Sequence, residues 1–309
     1  MEFRPLHPDF GAEVIGFDLQ RGGSAAEVAA LREAYDRHGL LLFRKGGRVS
    51  PERHVEIAGW FGPPAPISND GPQGDGGSLV TVLQNEEAAG RLVLPFHSDL
   101  TYTADPIDAI CLHAIAVPEG GSSTTFVSGA AAWDRLAPAL QAELADKTLR
   151  HFYNSRLMVA DWPSFAAEHP VRLVHPRTGR PILFVTQNHA ERILEMDEAR
   201  SRAVIEDLFA VLYAPEARYQ HWWELDDLVM WDNLAIQHAR TEEAHPRSGK
   251  RALQRVALAR VGFHELLARA RAAEAVQAGT GAEARRPGSI SAASAAATPK
   301  APAIMKAGA

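Results

Sequence analysis

The chain has 309 residues, 46% of them hydrophobic and 23% charged, and a formal net charge of −6. That length suits one large domain or two small ones with a real core, and the negative balance gives no reason to expect nucleic acid as the main partner. A single cysteine, Cys111, excludes an internal disulfide and any cysteine-rich zinc or iron–sulfur site, so a metal here has to be held by nitrogen and oxygen. No apolar run approaches the roughly 18 residues that span a bilayer. The opening stretch from Met1 to Pro8 lacks the apolar core of a signal peptide, so a cytoplasmic protein with no membrane attachment is expected.

In chain order, residues 10–19 alternate well enough for a strand. Ser24 stands as N-cap of a helix through about Arg37, with Val28, Leu31 and Tyr35 on one face and His38-Gly39 as its end. Residues 40–43 are wholly apolar and read as a buried strand. Ser50-Pro51 then opens a second helix that ends near Phe61-Gly62, proline sitting in its first turn. Residues 68–78 form a Gly-, Asp- and Pro-rich loop. It lacks the Lys-Ser/Thr ending of a phosphate cradle, and its acidic residues would repel phosphate.

Strands are predicted at 79–83, within 92–102, at 110–117 and at 124–127, with a turn over 118–121 and a helix over 129–144. Further β character falls at 151–153, in a hairpin over 171–175 and 181–185, and at 219–223, 228–231 and 251–261, with a helix over 197–213. After about Arg271 the chain is Ala, Gly, Ser and Pro with almost no large apolar side chain. Residues 276–309 are therefore expected to be a disordered tail, and 1–275 a single domain. Many short strands, with helices near the start and in two insertions, predict a mainly β protein: a β-sandwich or jelly roll decorated by helices.

The chemistry concentrates in residues 95–102, Pro-Phe-His-Ser-Asp-Leu-Thr-Tyr. His97 and Asp99 stand two apart, and on an extended strand such residues share a face, within reach of one metal ion. Alone, the pair reads as readily as an ordinary hydrogen-bonding couple. Downstream, a short strand through Trp231-Asp232-Asn233 leads into a loop ending in His238, followed by Arg251 and Arg255. Two histidines and one carboxylate form a three-ligand face that leaves octahedral positions open, as in non-haem Fe(II) oxygenases. An arginine on a following strand clamps a distant carboxylate through paired hydrogen bonds, which suits a 2-oxo diacid chelated at its other end.

Taken in order, His97-Ser98-Asp99, His238 behind Trp231-Asp232-Asn233, and the Arg251/Arg255 pair resemble the Fe(II)/2-oxoglutarate dioxygenases of the taurine dioxygenase (TauD/TfdA) family. Residues 11–19, 38–43, 120–124 and 175–181 match further landmarks, so the resemblance covers about 5–262. It implies a double-stranded β-helix core, the jelly roll of cupin-like proteins. It implies Fe(II) on His97, Asp99 and His238, and the distal carboxylate of the co-substrate 2-oxoglutarate on Arg251 and the hydroxyl of Thr124, with Thr125 as the alternative in an ambiguous register. Arg255 would face the anionic end of the prime substrate. Asn85, Leu100 (through its backbone N–H), Tyr102, Phe152 and His189 would line the pocket, although His189 reads equally as scaffold.

The reaction so implied is O2-dependent hydroxylation, with desaturation or carbon–heteroatom cleavage as variants, releasing succinate and CO2. Asp99, as a metal-binding carboxylate, argues against halogenation. Taurine-specific members carry a histidine shortly after the Phe-Gly of the second helix. Residues 61–68 hold none, so a small anionic or zwitterionic substrate other than taurine is expected. The family also implies a homo-oligomer, dimer or tetramer. Two other classes compete: a zinc hydrolase, for which no nearby general base or His-Glu-x-x-His spacing appears, and a non-catalytic ligand-binding jelly roll. Trp222, Trp223 and Trp231 read as core or rim aromatics, Cys111 as a buried structural thiol, and His113, His151 and His175 as structural.

Overall fold

A computed structural model describes residues 1–67, 78–84, 93–157, 160–241 and 249–283. The chain begins with β1 (Glu2–Pro5), β2 (Ala12–Ile15), α1 (Ala25–His38), β3 (Leu40–Phe43), α2 (Pro51–Gly59) and β4 (Pro64–Ala65). There follow β5 (Thr81–Gln84), β6 (Leu94–His97), β7 (Ala109–Ala116), β8 (Ser123–Ser128), α3 (Gly129–Arg135), α4 (Pro138–Leu144) and β9 (Thr148–Tyr153). Next are β10 (Phe165–Pro170), β11 (Arg172–Val174), β12 (Pro181–Leu183), β13 (Ala190–Ile193) and α5 (Glu198–Leu212). The series closes with β14 (Tyr219–Trp222), β15 (Leu228–Asp232), β16 (Ile236–Arg240), β17 (Ala252–Leu258) and α6 (Phe263–Glu283).

Local signals set the first of these. Ser24 and Glu27 form a reciprocal capping box at the start of α1, and Gly39 closes it in a left-handed turn at φ 68°, a conformation open to glycine without a Cβ penalty. The chain passes straight from that turn into β3, whose four leucine and phenylalanine side chains are all buried.

Two sheets carry the architecture. The larger has the order β1-β2-β3-β15-β7-β17-β4, with β5 also paired to β17; its pairs are antiparallel except β2 with β3. The smaller runs β14-β8-β16-β6. Between them lies the main core, with Leu112, Val229, Trp231 and Leu253 contributed by the larger sheet and Phe126 and Ile236 by the smaller. Strand alternation sends the other residues outward. Met230, Val256 and Leu258 pack under α1 and α2 against Leu31, Tyr35 and Ile57. On the far side Val127 and Ala239 pack against Val204, Leu208 and Leu212 of α5. Each sheet is thus buried on both faces, and the result is the jelly roll with helical decoration.

Four differences from the sequence reading have physical causes. The helix over 129–144 is two helices, because Pro138 offers no N–H and forces Ala137 to extended backbone with ψ 140°. Strands β10 and β13 flank β9 in a three-stranded sheet; the Ala-Ala-Glu-His centre of β10 has little β propensity, and pairing rather than composition makes it a strand. Residues 236–240 are a strand, not a loop ending in His238. Finally, α6 continues through Glu283, into residues expected to be disordered. Alanine is the strongest helix former, so a stretch too poor in large side chains to build a core still favours helix. Phe263, Leu266 and Leu267 seat its first turns in the main core, and the compact unit ends at Arg271, residues 272–309 forming a second.

Phe126 is fully buried between the sheets, 5.3 Å from the Trp231 ring. Phe126→Ala is expected to lower unfolding free energy by about 3–5 kcal/mol, read from urea denaturation midpoints.

Candidate active site

His97 on β6 and His238 on β16 are direct cross-strand partners in the smaller sheet. Opposed residues of antiparallel strands project to one face, so the two rings arrive side by side with centroids 4.2 Å apart. Asp99 joins them, its Oδ1 lying 3.3 Å from His97 Nε2 and 3.9 Å from His238 Nε2. Strand alternation is not what brings it there. The strand ends at His97, and Asp99 sits in the following turn, where Leu100 takes a left-handed φ of 61°. For a residue with a Cβ that conformation costs roughly 1–2 kcal/mol. One donor atom from each of the three residues lies within 4.8 Å of the others, the one such cluster among the described residues.

These donors fit a divalent cation. His97 Nδ1 is 2.8 Å from the Pro95 carbonyl oxygen; a carbonyl only accepts, so Nδ1 donates there and Nε2 is the ring nitrogen that faces Asp99. Burial, and then the neighbouring His97, push His238 down to about 3, so it stays neutral. Burial alone would raise the Asp99 carboxyl; the Arg255 guanidinium is the largest opposing cause, and the carboxyl ends well below the usual carboxylate range. Two imidazole nitrogens and an ionised carboxylate therefore converge in a largely buried space, the donor set of a facial-triad Fe(II) site.

The turn between β15 and β16 supports that cluster. Asp232 Oδ2 accepts from His175 Nε2 at 2.8 Å and from Arg177 Nη2 at 2.7 Å, while Oδ1 accepts from the Leu234 and Ala235 amides. His175 Nδ1 in turn accepts the backbone N–H groups of Arg177 and Thr178, both at 3.1 Å. The landmarks at 175–181 and 231–233 are thus two halves of one joint. Beside it, Asn233 Oδ1 accepts from the Asp99 amide at 2.8 Å. Its Nδ2 donates to the carbonyls of Asp99 at 3.1 Å and Ile107 at 2.8 Å.

Across the interior, Arg251 precedes β17 and Arg255 lies within it, on the inward side shared with Leu253 and Ala257. Both arginines are buried, and Arg255 Nη2 donates to Asp99 Oδ2 at 2.7 Å. Burial, followed by the charge of Arg240, lowers Arg251 to about 10. Arg240 is buried on β16 two residues past His238, and so on the same face. Sequence reasoning missed it, though the spacing-of-two argument would have found it had 236–240 been read as a strand. Phe126 pairs with His238, so Thr124, two residues back on β8, shares the interior face and Thr125 the opposite one. The Thr124 hydroxyl accepts from Trp223 Nε1 at 3.0 Å.

An aromatic wall completes the site. Tyr102 stacks on Tyr153 with centroids 4.6 Å apart and meets His189 edge-on at 4.8 Å. His189 stands edge-on to His97 at 6.2 Å, and burial, then His97, push its pKa to about 3. Phe152 does not join this wall. On β9 its neighbours His151 and Tyr153 project to the other face, and the Phe152 side chain is exposed. Tyr153 is the β9 residue that reaches the site. Leu100 buries its side chain in the main core, and Asn85 lies outside the described residues.

Fold and site together define a jelly-roll non-haem iron oxygenase. The chain belongs to the family described as "Taurine catabolism dioxygenase TauD, TfdA family", whose profile matches residues 2–257. The alpha-ketoglutarate-dependent 2,4-dichlorophenoxyacetate dioxygenase of Cupriavidus pinatubonensis is 29% identical over 263 residues, 76% of this chain and 90% of the relative. The alpha-ketoglutarate-dependent sulfate ester dioxygenase of Pseudomonas putida is 29% identical over 259 residues, 77% of this chain and 83% of the relative. The crystal structure of a taurine dioxygenase from Burkholderia xenovorans has a TM-score of 0.73 at 28% identity, covering 84% of this chain and 90% of that one. The protein is an Fe(II)/2-oxoglutarate-dependent dioxygenase, an oxidoreductase. Neither the zinc hydrolase nor the non-catalytic jelly roll finds support. Among the described residues no helix is long and apolar enough to cross a membrane.

Burial raises the Asp232 carboxyl, but His175 and Arg177 more than compensate and hold it below its ordinary value. A carboxylate depressed on folding contributes stability that is complete above its unfolded pKa, about 4, and is lost as pH falls through the folded value. Asp232→Asn is therefore expected to be less stable than wild type by about 3 kcal/mol at pH 7. The gap should narrow in acid below the unfolded pKa, as urea titrations across that range would record.

Proposed function

We propose that His97, Asp99 and His238 hold the Fe(II), that Arg251 and Thr124 hold the distal carboxylate of 2-oxoglutarate, and that Arg255 receives the anionic end of the prime substrate. The convergence of His97 Nε2, Asp99 Oδ1 and His238 Nε2 carries this reading. When bound, Fe(II) supplies the oxidising chemistry, with 2-oxoglutarate decarboxylated to succinate as substrate is oxidised. The chain's own residues bind, orient and exclude water. Arg251 is a buried cation whose planar fork matches a carboxylate, and Thr124 lies on the same inner face. Arg255 has five N–H groups, and the one that engages Asp99 leaves the guanidinium able to bridge that carboxylate and a substrate anion.

Tyr102, Tyr153 and His189 give the substrate an aromatic wall beside the metal ligands. A small organic anion with an apolar body suits this arrangement, as do aryloxyacetates and sulfate esters, the compounds named for the two relatives. Hydroxylation at a carbon bonded to ester or ether oxygen gives a product that collapses with C–O cleavage. Other outcomes in the same reading are a stable alcohol and desaturation. Assembly as a dimer or tetramer and a cytoplasmic setting, which Cys111 as a buried free thiol suits, belong to the same proposal; light scattering on the purified chain reads the first.

His97→Ala is expected to abolish succinate formation in the presence of Fe(II), 2-oxoglutarate and a turned-over sulfate ester or aryloxyacetate. Full activity in that variant would refute the ligand assignment. Arg251→Met is expected to raise the KM for 2-oxoglutarate about 10- to 100-fold, the loss of one or two charge-assisted hydrogen bonds. An unchanged KM would move the carboxylate site elsewhere.

A further inference from the structure

We infer that Asn233 is a positioning residue for the metal centre: its side-chain amide fixes Asp99 relative to His97 and His238. This rests on the assignment of those three as iron ligands. Asp99 has no strand to hold it, since β6 ends two residues earlier and the next residue adopts a left-handed backbone. Within the turn Thr103 closes on the Leu100 carbonyl and the Ile107 amide reaches the Asp99 carbonyl; from across the chain the fully buried Asn233 side chain engages the Asp99 N–H through Oδ1 and the Asp99 and Ile107 carbonyls through Nδ2. The two bonds to Asp99 span 134 residues of chain and the one to Ile107 spans 126. Asn233 also precedes His238 by five positions on the same turn and strand. One amide therefore ties the segment that presents the carboxylate to the segment that presents the second histidine.

The chemistry asks for an amide. Its oxygen meets a donor and its nitrogen meets two acceptors, the one orientation that satisfies all three. Aspartate at 233 would keep the first bond and set a carboxylate against two carbonyl oxygens; alanine would leave three buried backbone groups without that partner. The neighbouring Asp232, locked by His175 and Arg177, fixes where the amide stands. The Asp99 carboxylate is held separately by Arg255. Arg255 thus sets the side chain and Asn233 the backbone from which it projects.

The test titrates metal-free full-length protein with Mn(II) by calorimetry and measures thermal unfolding of the same samples. Asn233→Asp and Asn233→Ala are expected to weaken Mn(II) binding about 10- to 100-fold, the usual loss when a group supporting a metal ligand is removed. Asn233→Ser, a milder change, serves where those two do not fold and is expected to weaken binding in the same direction. Asp197→Ala removes the N-cap of α5, remote from the site, and is expected to lower the unfolding temperature while leaving Mn(II) affinity at the wild-type value. Folded Asn233 variants that bind Mn(II) as tightly as wild type and are merely less stable would overturn the inference. Undiminished Mn(II) binding by His97→Ala would instead remove the ligand assignment beneath it.

Discussion

One register governs the centre of this molecule: His238 opposite His97 on adjacent strands of the smaller sheet. Side chains alternate along a strand, so a slip of one residue would send His238 and Arg240 outward and bring Gln237 and Ala239 to the interior face. Gln237 holds the register from behind. Its Nε2 donates to the Val185 carbonyl at 2.8 Å, and its Oε1 accepts from the Tyr213 hydroxyl at 2.7 Å. Those bonds lie on the face packed against α5, where Ala239 is small enough to fit. The outward face of β16 therefore secures what the inward face presents.

The larger sheet adds charge. β17 turns Arg251 and Arg255 into the same interior, at a desolvation cost visible in the lowered Arg251. Buried ion pairs are poor sources of stability. Here they serve placement, Arg255 aligning one oxygen of Asp99 while the other faces the histidines. Stability comes from the apolar layers around them, with Phe126 and Trp231 fully buried between the sheets. The polar interior is a small enclosure within a conventionally packed shell.

Much of this was legible in the sequence because it depends on residue type and local order. The N-cap at Ser24, the apolar run of β3 and the hairpin of β11 and β12 are local features, and they formed as read. Residue type likewise pointed to His97, Asp99, His238 and the two arginines as one group. What the sequence concealed is long-range. Nothing local marks Gln-His-Ala-Arg as strand, so β16, and with it Arg240, was invisible until its neighbours β6 and β8 were in place. Tyr153 and Phe152 are adjacent and similar, and only the pairing of β9 with β10 and β13 decides which faces inward. Strand period accounts for His97 but not for Asp99, which lies in a turn hydrogen-bonded to Asn233, far along the chain. The helical run to Glu283 is hidden differently: alanine builds little core yet favours helix.

The pairing of β6 with β16 also bears on how the chain reaches its native state. Contacts between segments so distant in sequence are costly in loop entropy and form slowly. Local pieces, such as α1 running into β3 or the hairpin of β11 and β12, can assemble without them. A partly folded chain therefore holds His238 on a fragment apart from His97 and Asp99 and has the three donors gathered nowhere. With the proposed ligand assignment, metal capture follows closure of the smaller sheet, and a bound ion stabilises the closed form over every form in which those strands are apart.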